Sequence, residues 1–185
     1  MEENVYLCSD LHLFHDREFI YKPRGFQSCE EMTQHYVDYW KNTVKDGDQV
    51  IVAGDFCLGN DFDKIREVVS ALPGKITLVI GNHDTDKKVE LYESLGIECK
   101  WAERVRCGRK IILVSHYITE TATLESDPKN CVLNAHGHLH IKNKHYEDKP
   151  FLYNVSVDAN NNQFVTPEQI VESFKQEVKK CIELL

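Results

Sequence analysis

Seven side chains of the kinds that bind metal ions follow short apolar runs in this sequence. Imidazole and carboxylate together suit zinc, manganese, iron or nickel, whereas calcium and magnesium prefer shells made of oxygen alone. Four of the donors form two pairs spaced two residues apart, so in an extended segment both members of a pair point to the same side. Seven donors are too many for one tetrahedral zinc ion and suit two ions that share a bridging carboxylate. The donors are Asp10, His12, Asp55, Asn82, His116, His138 and His140.

The apolar runs before these donors predict the strands that position them. Such runs alternate with longer helical patterns, which is typical of an α/β domain with a mixed sheet. Ligands of open α/β sheets bind beyond the carboxyl ends of the strands, where side chains from several strands converge. The pattern therefore predicts one metal-binding edge. The runs are VYLCS (5–9), VIVA (50–53), ITLVI (76–80), IILVS (111–115) and VLNA (132–135), with a sixth, FLYNVSV, at 151–157.

Capping residues predict where the helices begin. Ser28 followed by Glu31 forms a capping-box pattern, and Asp61 is placed to cap a second helix. A further helix is expected over 87–95, and the Thr-Pro-Glu-Gln segment at 166–169 is a strong start for the last one. A hairpin is predicted between 101–105 and 110–115.

The composition is typical of one soluble domain spanning residues 1–185, with 42% hydrophobic and 28% charged residues. No apolar run approaches the roughly 20 residues of a membrane helix, and the acidic start does not resemble a signal peptide. We therefore expect a cytoplasmic protein whose seven scattered cysteines are free thiols. The net charge of −8 argues against a broad surface for duplex nucleic acid. It does not exclude a phosphate substrate, because bound divalent cations reverse the potential locally.

Five motif blocks in a fixed order carry a family resemblance. They are D-x-H at residues 10–12, G-D at 54–55, G-N-H-D at 81–84, a lone histidine at 116, and G-H-x-H at 137–140. Together these blocks resemble the calcineurin-like metallophosphoesterases. Their small, stand-alone bacterial and phage branch is similar in the segments DLHLFHDREFI, KPRGF, NAHGHLH and NVSVD. The resemblance implies a four-layer α/β/β/α sandwich of two mixed sheets flanked by helices. It also places a two-metal site at the strand ends.

The resemblance assigns a role to each donor. It implies a hydrolase of phosphate esters, more often diesters than monoesters, that uses two divalent ions of manganese, iron, nickel or zinc. Two such ions lower the pKa of a shared water and offset charge during an in-line displacement at phosphorus. His83 corresponds to a histidine that binds no metal, and it would protonate the leaving oxygen or stabilise charge, with Asp84 placed to orient it. The first ion would be held by Asp10, His12 and His140, the second by Asn82, His116 and His138, with Asp55 bridging them.

Substrate contacts are less clearly marked in the sequence. Many larger relatives carry an arginine shortly after the G-D block, but here the block reads GDFCLGND. Arg17, Lys22 and Arg24 are therefore candidates for contacts to phosphate, and ordinary solvated charges are the alternative interpretation. The expected substrate is a small or nucleotide-type phosphate ester, and the oligomeric state is left open.

Three other reactive residues lie near the motif blocks. Cys57 follows Asp55 by two residues, and we expect it to pack in the core rather than bind a metal ion. His15 is expected at the surface, and a position facing the substrate is the alternative. His136 is expected to be an ordinary histidine at a strand end rather than a support for the ligands.

Two other functions compete with the phosphoesterase. One is a catalytically silent scaffold or binding protein of the same fold, although such proteins usually lack some of the ligands that are present here. The other is an amidase or peptidase on a similar site, but the sequence contains no H-E-x-x-H motif.

Overall fold

The computed structural model describes residues 3–123, 126–147 and 149–183. Within these ranges, two four-stranded sheets form the centre of the molecule. The first sheet pairs its strands in chain order and in parallel, and Val165 adds an isolated antiparallel bridge to Leu7. Its strands are β1 (Val5–Cys8), β2 (Gln49–Val52), β3 (Lys75–Val79) and β4 (Glu98–Lys100).

The second sheet is mixed. Its first two strands form the predicted antiparallel hairpin, and the other pairings are parallel. All six apolar runs became strands, whereas β4 was not predicted because three residues are too few to show an alternation. The strands are β5 (Glu103–Cys107), β6 (Lys110–Ser115), β7 (Val132–His136) and β8 (Leu152–Asn154).

The three helices for which the sequence shows a capping pattern begin where that pattern predicts. The Ser28 hydroxyl accepts the Glu31 N–H at 3.1 Å, and the Asp61 carboxylate accepts the Lys64 N–H at 3.0 Å. A four-residue helix after the first motif block was not predicted, because one turn shows no periodicity. None of the described helices combines the length and the apolar composition that crossing a membrane requires. They are α1 (Glu18–Tyr21), α2 (Cys29–Thr43), α3 (Phe62–Ser70), α4 (Asp86–Ser94) and α5 (Pro167–Glu183).

The core consists of two clusters, one on each face of the first sheet. Val50 and Val52 of β2 pack with residues of α2 to α4, such as Trp40. Ile51, which points to the other face, packs with residues of the second sheet, such as Ile112. Because β2 is buried on both faces, its sequence is a continuous apolar run rather than an alternation. The expected α/β architecture, two sheets flanked by helices, is confirmed.

The parallel pairing brings the strand ends that carry the motif blocks to one edge. The ladder between β1 and β2 continues beyond both strands, since the Asp10 N–H donates to the Gly54 carbonyl and the His12 N–H to the Asp55 carbonyl, both at 3.0 Å. These bonds fix the first two motif blocks side by side.

Candidate metal centre

Five of the seven predicted ligands have a left-handed backbone. A residue other than glycine in this region costs about 1–3 kcal/mol, and such residues persist where the surrounding structure enforces them, typically at functional sites. Because the five lie in three separate loops, the strain is concentrated at one edge of the sandwich. The φ angles are 58° at Asp10, 50° at His12, 57° at Asp55, 75° at His138 and 49° at His140.

Two glycines allow the ligand loops to approach each other closely. A Cβ atom at Gly81 would lie 2.4 Å from Asp55 Oδ1, and one at Gly137 would lie 2.4 Å from Asp10 Oδ2. Any other residue would displace a carboxylate, because real Cβ atoms do not approach so closely. The glycines of the G-N-H-D and G-H-x-H blocks therefore make room for the carboxylates.

The first group of donors surrounds a common point. Asp10, His12, Asp55 and His140 each offer a ligand atom, and these atoms all lie within 4.8 Å of one another. His12 Nε2 lies 3.5 Å from Asp55 Oδ2 and 3.9 Å from Asp10 Oδ1, while His140 Nε2 lies 3.7 Å from Asp10 Oδ1. His12 Nε2 is buried without a hydrogen-bond partner among the described residues. A cation bound among these atoms would satisfy that nitrogen and both carboxylates.

The second group adjoins the same aspartate. Asn82 Oδ1 lies 2.8 Å from His116 Nε2 and 2.9 Å from His138 Nδ1. His116 Nδ1 lies 2.9 Å from the carbonyl oxygen of Ala53 and so donates its proton there, which leaves the lone pair of Nε2 facing Asn82. Two lone pairs at this distance repel each other unless a cation or a proton lies between them. His116 Nε2 is also 3.7 Å from Asp55 Oδ2, so Asp55 adjoins both groups.

His15 is half-buried and lies against His12. The two Nδ1 atoms are 3.0 Å apart, and the rings stack with centroids 5.1 Å apart. Burial lowers the pKa of each imidazole to about 4, so both rings are neutral at neutral pH. One Nδ1 must then donate to the other. If His12 is the donor, its Nε2 presents a lone pair to the carboxylates.

Arg24 is not available to a substrate, so that candidate role is corrected. Its side chain is 1% exposed, and Nε and Nη2 each donate to a different oxygen of Asp158 at 2.8 Å. Nη2 also donates to the Asp10 carbonyl at 2.8 Å, and Nη1 donates to the Leu11 carbonyl at 3.2 Å. Arg24 therefore holds the backbone of the first motif block from behind.

Asp158 is a site residue that the sequence reading missed. Its Oδ2 lies 3.0 Å from His140 Nδ1 and accepts that proton, which turns His140 Nε2 toward Asp10. Burial alone would raise the pKa of the Asp158 carboxyl, but the hydrogen bonds from His140 and Arg24 hold it well below its usual range. The signal was present, since Asp158 directly follows the sixth apolar run just as other acidic ligands follow theirs.

The other two basic candidates lie at the surface. Arg17 is exposed and precedes α1, and its guanidinium donates to the Asp16 carbonyl at 3.3 Å. Lys22 is exposed and pairs with Glu18 at 2.6 Å. The structure joins neither side chain to the ligand groups, and a substrate contact by Arg17 stays a prediction.

His83 lies at the mouth of the site. Its side chain is exposed, and its ring meets the His12 ring edge-on with centroids 5.6 Å apart. Its backbone N–H donates to Asp55 Oδ1 at 2.9 Å. Lys88, which is buried, donates to the His83 carbonyl at 3.2 Å and to the Cys57 carbonyl at 2.8 Å. The sequence did not indicate that Lys88 would be buried and would bind these two carbonyl groups, because a lysine on an amphipathic helix is ordinarily exposed.

Asp84 does not have the predicted role of orienting the His83 imidazole. Its buried carboxylate accepts the backbone N–H groups of Asp55 at 2.8 Å, Gly81 at 2.9 Å and Phe56 at 3.2 Å. These three bonds use both oxygens and join the loops after β2 and β3. Asp84 therefore acts on the backbone of Asp55.

Cys57 and His136 lie outside the two donor groups. The Cys57 thiol is buried in the core, and burial raises its pKa to about 12, so it is a neutral packing group as expected. His136 is buried at the end of β7, with Nδ1 3.0 Å from the Gly137 carbonyl oxygen. Its ring packs against Tyr146.

The fold and these donors define a class: an α/β sandwich protein with a histidine–carboxylate site suited to metal ions. Residues 4–160 match the calcineurin-like phosphoesterase superfamily domain. The chain belongs to this superfamily, and the resemblance drawn from the five motif blocks is confirmed. The match ends before α5 begins.

Three known proteins are similar to this chain. An uncharacterized protein from Methanocaldococcus jannaschii is 32% identical over 179 residues, which cover 91% of this chain and 89% of the relative. The crystal structure of a protein of unknown function from Aquifex aeolicus is 26% identical, with a TM-score of 0.70 over 92% of this chain and 99% of its own. An archaeal phosphodiesterase structure is 16% identical, with a TM-score of 0.47 over 83% of this chain and 82% of its own.

Proposed function

We propose that this protein hydrolyses phosphate diesters with two divalent metal ions bound at the strand ends. The observation that carries the proposal is the position of Asp55. One oxygen of its buried carboxylate lies 3.5 Å from His12 Nε2 and 3.7 Å from His116 Nε2. A single carboxylate oxygen between two groups of donors is what a pair of ions with a shared ligand requires.

Each donor group can hold one ion. The imidazole, carboxylate and amide donors suit manganese, iron, nickel or zinc. When bound, the ions polarise the phosphoryl oxygens, supply an activated water and offset the negative charge that develops during displacement. The first ion would take Asp10, His12 and His140, the second Asn82, His116 and His138, and both would share Asp55.

His83 is the group that would deliver a proton. Its imidazole is exposed beside the ring of His12, while its backbone is fixed by Asp55 and Lys88. A histidine so placed can protonate the leaving oxygen of an ester, and general acid catalysis is worth about 10²–10⁴-fold in rate. Asp84 supports this step indirectly, because it holds the loop from which His83 projects.

A small diester is the substrate that the charge distribution favours. With a net charge of −8, the protein repels a monoanionic diester less than a dianionic monoester outside the immediate field of the ions. The same charge disfavours long duplex nucleic acid. Nucleotide-type diesters combine one negative charge with groups that offer further contacts.

The test combines metal analysis with turnover of two chromogenic esters. Metal content is measured on the purified protein, and hydrolysis of bis-p-nitrophenyl phosphate and p-nitrophenyl phosphate is measured with manganese, nickel, cobalt, zinc and magnesium. We expect two ions per chain and faster turnover of the diester. Protein that holds two ions per chain and hydrolyses neither ester would contradict the proposal.

Two variants separate metal binding from proton transfer. Asp55→Asn removes the shared charge, and we expect fewer than two ions per chain and a loss of about 10⁴-fold in kcat, since each ion contributes several kcal/mol. Asp61→Asn is the matched control, because asparagine also caps α3. His83→Ala should keep both ions and lower kcat by about 10²–10⁴-fold. Loss of ions in His83→Ala would remove its assignment as a proton donor.

A further inference from the structure

Several large apolar side chains are exposed in the segments that follow strands of the two sheets. In the described ranges there are six of them, and they lie in the segments that follow β1, β4, β6 and β7. Exposed apolar groups gathered around a polar site are typical of a surface that binds a ligand. They are Phe19 after β1, Trp101 after β4, Tyr117 and Ile118 after β6, and Leu139 and Ile141 after β7.

Two of these residues are aromatic rings that contact histidines of the site. Phe19 is 70% exposed, and its ring meets the ring of His15 edge-on with centroids 5.9 Å apart. Tyr117 is 51% exposed, and its ring lies 5.0 Å from that of His116 and 4.8 Å from that of His138. Each ring therefore has one edge at the site and a surface open to solvent.

The two rings stand at the two ends of the donor groups. Phe19 reaches the first group through His15, whose Nδ1 is 3.0 Å from that of His12. Tyr117 contacts the second group directly, and Asp55 lies between His12 and His116. A phosphate held between the two groups would thus have one aromatic ring on each side.

We propose that Phe19 and Tyr117 are two aromatic platforms that bind the two organic groups of a phosphate diester, and that these groups are planar, as nucleobases are. The inference rests on the proposed function and deepens it. Stacking suits flat groups, and it tolerates different bases because every base has a π-face. A monoester has only one organic group and would leave one platform unused.

The acidic surface supports this choice of ligand. With a net charge of −8 there is little general attraction for a phosphate chain. Uncharged contacts can add affinity beyond the metal centre, and the exposed rings supply them. A protein partner or a second copy of the chain would also cover apolar groups, and the experiment below separates these occupants.

The test measures binding, so it does not require turnover. Metal-loaded protein is titrated by calorimetry with diphenyl phosphate and with diethyl phosphate, two monoanionic diesters that differ in whether their groups are flat. We expect diphenyl phosphate to bind at least tenfold more tightly. Phe19→Ala and Tyr117→Ala should each weaken the binding of diphenyl phosphate about fivefold to tenfold. Each should change the affinity for diethyl phosphate by less than about twofold.

Two further variants serve as controls. Trp101→Ala removes another aromatic ring, 79% exposed, for which no contact with a site histidine is found among the described residues, and it should leave both affinities unchanged. Tyr117→Phe keeps the ring without the hydroxyl and should still bind diphenyl phosphate more tightly than diethyl phosphate.

Three results would contradict the proposal that Phe19 and Tyr117 bind the two groups of the diester. They are equal affinities for the two diesters, equal weakening of both diesters in the alanine variants, or a change of oligomeric state in those variants with the preference intact. The platforms and the proposed function fail separately. A protein that prefers diphenyl phosphate but hydrolyses no ester keeps the platforms and loses the catalytic assignment.

Discussion

Asp10, His12 and Asp55 follow strands of the first sheet, and their side chains are at most 1% exposed. His140 follows a strand of the second sheet, and 32% of its side chain remains exposed. The candidate site therefore has a buried half, carried by the loops after β1 and β2, and an open half, carried by the loop after β7. The buried half offers carboxylate and imidazole donors, whereas the open half offers the imidazoles of His138 and His140.

The two halves differ in what holds them. In the buried half, backbone hydrogen bonds prolong the ladder of the first sheet through Asp10 and His12. In the open half, side chains from other segments hold the histidines. The Asp10 carboxylate accepts the His138 backbone N–H at 2.9 Å, and the Asp158 carboxylate binds His140 Nδ1. The buried half thus forms with the core, whereas the open half depends on a few long-range side-chain contacts. Substitutions in those contacts should change the site more selectively than substitutions in the ladder.

Arg24 joins the two halves, and its loss should have the largest effect on the fold. It donates to the Asp10 carbonyl in the buried half and to Asp158, which supports the open half. Arg24→Met would leave the largely buried Asp158 carboxylate with His140 as its remaining partner and would remove the bonds to the Asp10 and Leu11 carbonyls, so we expect the free energy of unfolding to fall by about 3 kcal/mol. Urea denaturation of the metal-free protein at neutral pH measures this difference.

Arg17→Met is the matched control for that substitution. Arg17 lies at the other end of α1 and is exposed, so we expect a change within about 0.5 kcal/mol. Equal stability of the two variants would mean that the contacts of Arg24 do not join the halves.

These two arginines also show what the sequence could predict. The ligands were found because each directly follows an apolar run, and such runs are local patterns. Nothing local distinguishes Arg24 from Arg17. The carboxylate that pairs with Arg24 belongs to Asp158, 134 residues away in the chain. Only the folded structure therefore identifies the pair.

Short elements and close neighbours were also beyond the reach of the pattern. The single turn of α1 and the three residues of β4 are too short to show a period. The backbone is left-handed at His12 and Phe14, and the His15 ring stacks on that of His12. Residue types do not show such a backbone, so the sequence favoured the surface for His15. The family motifs gave the donors but not the groups that orient them.

His15 tests the buried half, with an intermediate effect expected. If His15 fixes the tautomer of His12, then His15→Ala should weaken binding of the first ion about tenfold, and the second ion should be unaffected. Competition with a chromogenic chelator measures both affinities. His15→Gln should restore much of the binding, because the glutamine oxygen can accept the proton from His12.

His35→Ala is the control for the loss of a histidine, since His35 is exposed on α2. A parallel drop in the affinity of both ions in His15→Ala would point to general damage of the site. An unchanged first affinity would show that His12 needs no partner to present its nitrogen.

The smallest expected effect concerns the segment that follows the open half. His145 anchors this segment to α5, with Nε2 2.8 Å from the Ser173 hydroxyl, and burial lowers its pKa below the ordinary value. Glu177 opposes that shift, while Lys144 and Lys180 add to it.

The sign of the pH dependence follows from this lowered pKa. Because the unfolded chain binds the proton more readily, the stabilisation is complete above about pH 6.5 and declines as the pH falls toward the lowered pKa of the folded state. The side chain is only half-buried, so solvent screening keeps the change below about 1 kcal/mol.

Other histidines also titrate in the metal-free protein, so only a difference between variants isolates His145. His145→Gln keeps a partner for Ser173 and cannot be protonated. Urea denaturation at pH 8 and pH 5.5 should show a smaller loss of stability on acidification in this variant than in the wild type. If the two losses are equal, protonation of His145 does not weaken this segment, and its other contacts hold it against α5.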